Sequence, residues 1–400
     1  MTTIITKSRT RSRRHFRQIM ALLLATVLVI IIGNNVVFQL IKSPKNITTA
    51  QMIYGWARLY KPMIYPSAKP DAVAFGFSWV RDIFDPKIAG ELTGETFFNF
   101  GMSGATSFES LRVLQHAMSV HKPKRVFLDL QSFADAPRVS LMEHQFDERI
   151  LDVTRDGSPN ESAALQRAIK INTSGAAIAF NIRFLEFLWA EKNGTPREEL
   201  LPSYQRRDWV EYSDAAEDAR RWTSEYRTEP PDKTDGLVHS LNDLEDGLEL
   251  LCNRNVEVFL VENPYICGKI HDMRRGHALI RKMQAQCSAP MSFWVFHYPN
   301  AVTMEGLSGI KTSNFYRPDG HPRPTLGQLM LTRMLGLEGQ ENAPPLPRDF
   351  GANLLAMSQA DADAWLTKKN NRCLGQWDEA ERTEVLEDLE RLTPIWDERF

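Results

Sequence analysis

The chain has 400 residues, 43% of them apolar and 24% charged, with 48 basic against 50 acidic residues. That length and apolar content support a large folded core, as one elaborated domain or a core with a smaller companion, and exclude a disordered or collagen-like chain. Six of the basic residues, Lys7, Arg9, Arg11, Arg13, Arg14 and Arg17, fall in the first 18 positions, so the remainder is net acidic and lacks the electrostatic footprint of a nucleic-acid binder.

Taken from the amino end, the basic segment 1–18 leads into a run over 19–41, apolar from Ile19 to Ile32 but for Thr26 and interrupted later by Asn34, Asn35 and Gln39. The run is long enough for one crossing of a bilayer. The flanking positive charge predicts a cytoplasmic amino terminus at an inner, cytoplasmic membrane. A cleaved signal peptide is the competing reading, but no small-x-small site follows the apolar core, which favours an uncleaved anchor and a periplasmic or equivalent outer location for the rest. Residues 42–70, with a helix expected near Ala50–Tyr60 and then Pro62, Pro66 and Pro70, read as a stalk.

An α/β pattern begins at 71. A buried strand is expected at 72–76, followed by a helix with Trp79, Val80, Ile83 and Phe84 at helical spacing. Next come a strand at Thr96–Phe100, a glycine-rich turn at Gly101–Thr106, a helix over Phe108–Val120 and a third strand at Arg125–Leu130. Such alternation with short connections signals a parallel, doubly wound sheet. From 132 to 235 the strand signal vanishes and Ala163–Ile171, Ala176–Glu191 and Tyr212–Tyr226 have helical periodicity, which reads as a helical insertion. The alternation resumes with helix Leu241–Arg254, strand Val256–Val261, helix Lys269–Ala285, strand Phe293–His297 and helix Thr325–Leu335. Five parallel strands in this order fit a flavodoxin-like domain over 71–336, and 337–400 reads as a helical tail.

In an oxidising compartment the four cysteines are free thiols by default or form a disulfide; Cys252 and Cys287 each fall near the end of a helix leading into a strand, which would set both on one edge of a parallel sheet and makes theirs the more plausible pairing. Cys267 and Cys287 flank a predicted helix that would hold them roughly 30 Å apart. Neither these nor Cys373 has metal-ligand spacing.

Three stretches meet on one rim of such a sheet. Ser78 stands at the carboxyl end of the first strand and the start of a helix, as a nucleophile or merely as a helix cap. Asn99-Phe100-Gly101-Met102-Ser103-Gly104-Ala105-Thr106 follows the second strand, and Asp319-Gly320-His321-Pro322 precedes the last helix. Arg81, one turn after Ser78, would hold an anionic substrate or form a surface ion pair; His297 would bind substrate or serve structurally. Ser103 replaces Ser78 as nucleophile if the strand boundaries slip. Trp189, Trp209 and Trp222 of the insertion either stack on sugar rings or anchor its helices.

On these residues the sequence resembles the SGNH/GDSL-like hydrolase superfamily, and more closely a membrane-anchored extracytoplasmic branch that moves acyl groups on bacterial envelope polymers. Gly76-Phe77-Ser78 is similar to its Gly-Asp-Ser block, the Asn99–Thr106 stretch to its Asn-x-Gly-x-x-Gly block and Asp319–Pro322 to its last block, over about 71–131 and 240–336. The resemblance implies an SGNH three-layer α/β sandwich. It implies Ser78 as nucleophile, His321 as base and Asp319 as its orienting acid, with no metal or cofactor. The oxyanion would be met by the N–H groups of Ser78 and Gly104 and by Gln131, and Asn99 would help to bind substrate. The implied function is an esterase or O-acyltransferase acting on acyl, above all acetyl, esters of an envelope or secreted polysaccharide. A membrane-bound O-acyltransferase or polysaccharide synthase is the implied partner. Three departures stand against this pattern: Phe77 replaces an acid, Asp319 lies two rather than three residues before His321, and Asp129-Leu130-Gln131-Ser132 replaces Gly-x-Asn-Asp. They keep open a second reading, a catalytically inactive binding or assembly subunit of a polysaccharide synthesis, modification or export complex.

Overall fold

In the computed structural model the described residues are 2–53, 55–130, 146–200, 234–264, 273–296, 298, 300–305, 314–316, 321–373 and 378–399. Helix α1 (Thr2–Ile41) is continuous, and its stretch His15–Ile41 is long and apolar enough to cross a membrane. Its large apolar side chains are exposed from Phe16 to Ile32; beyond that Asn34, Phe38 and Ile41 are buried while Val36 and Leu40 stay exposed. The asparagines that interrupt the apolar run are where the helix meets the rest of the chain: Asn35 Nδ2 donates to Asn172 Oδ1 (2.8 Å) and Asn181 Nδ2 to Asn34 Oδ1 (3.2 Å).

The expected stalk is part of the core. Helices α2 (Pro44–Ala50) and α3 (Ala57–Ala68) replace the helix expected near Ala50–Tyr60, and the chain turns between them through a left-handed Trp56. Pro62 and Pro66 lie inside α3 without ending it. Every residue from Arg58 to Tyr65 is buried, and tertiary packing of this kind overrides a weak local propensity.

The α/β core then runs β1 (Ala72–Phe75), α4 (Ser78–Ile83), α5 (Pro86–Thr93), β2 (Phe97–Asn99), α6 (Ser107–Val120) and β3 (Arg125–Asp129). The insertion contributes α7 (Ala163–Thr173), α8 (Gly175–Lys192) and the short α9 (Arg197–Leu200); the helix expected at Tyr212–Tyr226 lies outside the described residues. The core continues with α10 (Thr234–Asn253), β4 (Glu257–Glu262), α11 (Met273–Gln286), β5 (Met291–Val295), α12 (Ala301–Glu305) and α13 (Pro324–Met334), then β6 (Ala352–Asn353), α14 (Gln359–Cys373) and α15 (Glu379–Arg399).

The sheet is mixed and six-stranded, in the order β2-β1-β3-β4-β5-β6, rather than the five-stranded parallel sheet expected from sequence. The first five strands are parallel and β6 is antiparallel to β5. Order reverses between β1 and β3, and the carboxyl ends of strands at such a switch point are where doubly wound sheets bind ligands. Alternate residues of β1 serve opposite layers: Val73 and Phe75 join the cluster of α3, α6 and α10, while Ala72 and Ala74 join that of α5, α13 and α15. Cys252 and Cys287 are disulfide-bonded, with Cα atoms 5.2 Å apart, tying the end of α10 to the end of α11.

The carboxyl-terminal segment is docked as well. Trp396 is fully buried, its ring 4.7 Å from that of Phe315 and its Nε1 donating to Pro345 O (3.2 Å). Asp349 accepts from Lys369 Nζ at 2.7 Å, and Arg372 bridges Asp349 to Glu381, which joins α14 to α15.

Candidate active site

Ser78 opens α4, three residues beyond the end of β1 at Phe75. The turn between them needs Gly76, because a Cβ there would lie 2.4 Å from Val80 Cγ2 and 2.7 Å from Asp129 Cβ at the end of β3. As a residue of the first helical turn, Ser78 has an N–H without a partner in its own helix.

His321 arrives from 243 positions further along the chain. Helix α13, which begins three residues later, lies so close to α4 that a Cβ on Gly327 would meet Ile83 O at 2.0 Å. The loop before it is closed by an antiparallel bridge between Tyr316 and Pro322. Buried Arg323 holds the loop base, its N–H donating to Phe315 O (2.7 Å) and its Nε to Tyr316 O (3.0 Å). The Tyr316 hydroxyl donates to Pro264 O (2.9 Å) beyond β4. With both ends fixed, His321 Nε2 stands 3.3 Å from Ser78 Oγ, within the loose range of a resting nucleophile–base pair.

The glycine loop completes the rim. Gly101 lies flat on α4, where a Cβ would fall 2.1 Å from Arg81 N, and Met102 N donates to Gly76 O (3.0 Å). Gly104 has φ +57° with open space around it, so glycine is favoured there by the left-handed backbone rather than by crowding. Thr106 and Glu109 form a reciprocal capping box at the start of α6.

Asn99, expected to bind substrate, is fully buried. Its amide donates to Val80 O (2.8 Å) and Phe84 O (2.7 Å) while its Oδ1 accepts from Gly101 N (2.6 Å), so it clamps α4 to the glycine loop instead of facing out from the rim. Arg81 makes a two-pronged pair with Asp82 (2.7 and 2.8 Å) and hydrogen-bonds Ser103 Oγ. Ser103 is therefore tied to Arg81, and Ser78 is the serine that meets the histidine. Asp319, Gln131, His297, Trp209 and Trp222 lie outside the described residues. Trp189 is 70% exposed and so anchors nothing within its helix pair.

Sequence reasoning missed the residues that brace the loop from behind. Arg58 of α3 pairs with Glu109 through two 2.8 Å hydrogen bonds, both side chains buried, and donates to Gly104 O at 3.1 Å. One turn on, Lys61 Nζ donates to Gly101 O (2.7 Å). Burial holds the Lys61 ammonium well below the usual lysine range, Arg81 pushing the same way and Asp82 opposing. Asn263, at the end of β4, donates to Asp129 Oδ1 (2.7 Å), and its own Oδ1 is buried without a partner among the described residues. The Thr106-x-x-Glu109 pattern was the readable signal for one member of this set; Arg58 and Lys61 look like ordinary surface charge in the sequence.

A cavity of about 340 Å³ lies at the other end of the sheet, lined by Arg125, Glu257 and Met291, the first residues of β3, β4 and β5. It is not part of this rim. Compared with known proteins, the chain matches no family model and no curated protein sequence.

Proposed function

We propose that this chain is a membrane-anchored serine enzyme of the SGNH type that transfers or hydrolyses acyl, above all acetyl, esters of an envelope or secreted polysaccharide. The observation that carries the reading is the 3.3 Å approach of His321 Nε2 to Ser78 Oγ on the carboxyl rim of the sheet. The order β2-β1-β3-β4-β5 of its parallel strands supports an SGNH-type core, with β6 an addition at the edge. α1 serves as the anchor, its basic end cytoplasmic and the domain on the outer side, where the Cys252–Cys287 disulfide persists.

In this reading Ser78 Oγ adds to the acyl carbonyl as His321 Nε2 takes its proton. The N–H groups of Ser78 and Gly104 donate to the oxygen as it becomes negative; a donor of this kind is worth roughly 3 to 4 kcal/mol in serine hydrolases. The imidazolium then returns the proton to the departing sugar oxygen, leaving acyl-Ser78. Water or a second hydroxyl, deprotonated by His321, takes the acyl group in the second half. Hydrolysis and transfer differ only in that acceptor, and a membrane-bound O-acyltransferase or polysaccharide synthase is the partner for transfer. By sequence position Asp319 takes the orienting role.

The test is a reaction of the full-length protein with p-nitrophenyl acetate. A burst of nitrophenol equal to the protein present, with acetyl mapped to Ser78 and lost in Ser78→Ala, is the expected result. Folded protein that gives neither a burst nor a steady release of nitrophenol contradicts the reading and favours the assembly-subunit alternative.

A further inference from the structure

We infer that α7 and α8 lie in the interfacial layer of the membrane that α1 enters, with Ile182, Leu185 and Trp189 against lipid. The inference rests on the reading of α1 as a membrane anchor. Of the large apolar side chains exposed outside α1 among the described residues, Leu165 and Ile169 stand on α7, Ile182, Leu185 and Trp189 on α8, and only Leu386 and Ile395 elsewhere.

The pattern on α8 is not that of a helix facing water. Phe180, Phe184 and Phe187 fill the core side. Ile182, Leu185 and Trp189, three and four residues apart, form a second apolar stripe on another side. This stripe runs between the edge that meets α1 through Asn181 and the edge that carries the exposed pair Arg183 and Glu186. A helix with separate core, apolar and charged edges suits the boundary between acyl chains and headgroups, where tryptophan is favoured.

The contacts with α1 set the height. Asn34 and Asn35, which hold Asn181 and Asn172, come just after the run Ile19–Ile32 and Gly33, with Val36 and Leu40 exposed on the turns beyond them. The run from Ile19 to Ile32 is about 21 Å long at 1.5 Å per residue, whereas a hydrocarbon core is about 30 Å thick. Arg14 and Arg17 resist being drawn in at the other end. The apolar layer therefore reaches the level of Asn34 and Asn35, whose oxygen and amide pair with Asn181 of α8 and Asn172 of α7, and so reaches the α7–α8 pair.

The same helices connect to the candidate site. Tyr60 of α3 stacks on Phe180 at 3.8 Å between ring centroids, and its hydroxyl lies 2.7 Å from Asn181 Oδ1. α3 is the helix whose Arg58 and Lys61 hold the glycine loop. Membrane contact through α8 thus fixes the rim relative to the bilayer at a second point besides α1.

The experiment is labelling of the full-length protein with an aryl diazirine dissolved in the bilayer, followed by peptide mapping. It is done in membranes of the cell that makes the protein and in nanodiscs holding the purified chain. α15, with its exposed Leu386 and Ile395, is the internal control. Adducts on α1 and on Ile182, Leu185 or Trp189, the latter several-fold above α15 in both settings, are expected. Labelled α1 with α8 no higher than α15 overturns the inference while sparing the anchor. α8 labelled in nanodiscs but protected in cell membranes also overturns it, since a protein then covers the stripe. An unlabelled α1 removes the anchor reading itself.

Discussion

The serine wall of the candidate site is braced from the amino-terminal side by buried charge, whereas the histidine wall is braced from the carboxyl-terminal side by rings and main-chain hydrogen bonds. On the first, Arg58, held by Glu109, donates to Gly104 O and Lys61 donates to Gly101 O. On the second, Trp396 packs on Phe315, Asp397 accepts from Asn314 Nδ2 (2.7 Å), and Arg323 and Tyr316 tie the loop to its own base. The two walls should therefore fail differently. Buried ions stabilise only as a set, because removing one strands its partner; apolar packing is lost roughly in proportion to the volume removed.

Arg58→Ala leaves the Glu109 carboxylate buried without its guanidinium partner and is expected to cost about 3 to 5 kcal/mol in denaturant unfolding. The double variant Arg58→Met with Glu109→Leu should regain most of that stability but label Ser78 more slowly, since nothing then holds Gly104 O. Full labelling rate in the double variant would remove Arg58 as a positioning residue. Trp396→Ala is expected to cost roughly 3 to 5 kcal/mol, with no polar partner whose replacement restores it. If a tail substitution spares stability and labelling alike, the histidine wall does not depend on the tail.

His116 supplies a smaller, pH-dependent test on the serine side. It is fully buried between Pro62 O (3.0 Å from Nε2) and Asp152 N, which donates to Nδ1 (3.0 Å). Burial lowers its pKa from 6.5 to about 4, with Asp152 opposing. The fold therefore favours the neutral ring. This stabilisation is complete above about pH 6.5 and is lost as pH falls towards 4. The loss is at most about 3 kcal/mol. Unfolding midpoints measured at pH 7 and pH 4 should converge for His116→Gln relative to the wild type; an unchanged gap assigns the acid sensitivity elsewhere. The smallest effect is Gly104→Ala, about 1 to 2 kcal/mol of strain at φ +57°, seen as a lower labelling rate with little change in fold.

Much of this framework is legible in the amino-acid sequence. Short apolar runs followed by Gly76-Phe77-Ser78 and by Gly101–Gly104 mark strand ends, and that alone brings Ser78 to the rim. Strand order brings His321 to the same rim, and its pairing with Ser78 is what the family resemblance implies. Three features were hidden for physical reasons. Prolines in 42–70 suggested a stalk, but local propensity does not report burial, and α3 became a core helix. β6 is two residues long and carries no periodicity, so a sixth strand had no signal. Asn99 is polar and sits beside a candidate motif, yet polarity does not tell which way a side chain faces, and this one turns inward to the carbonyls of α4.

The most direct measurement of the central claim is the reaction of the full-length protein with a fluorophosphonate, mapped by mass. Modification at Ser78, abolished in Ser78→Ala and slowed at least about a hundredfold in His321→Ala, is the predicted result. A protein with its Cys252–Cys287 bond intact that takes no label, or labels equally fast without His321, would contradict an activated serine.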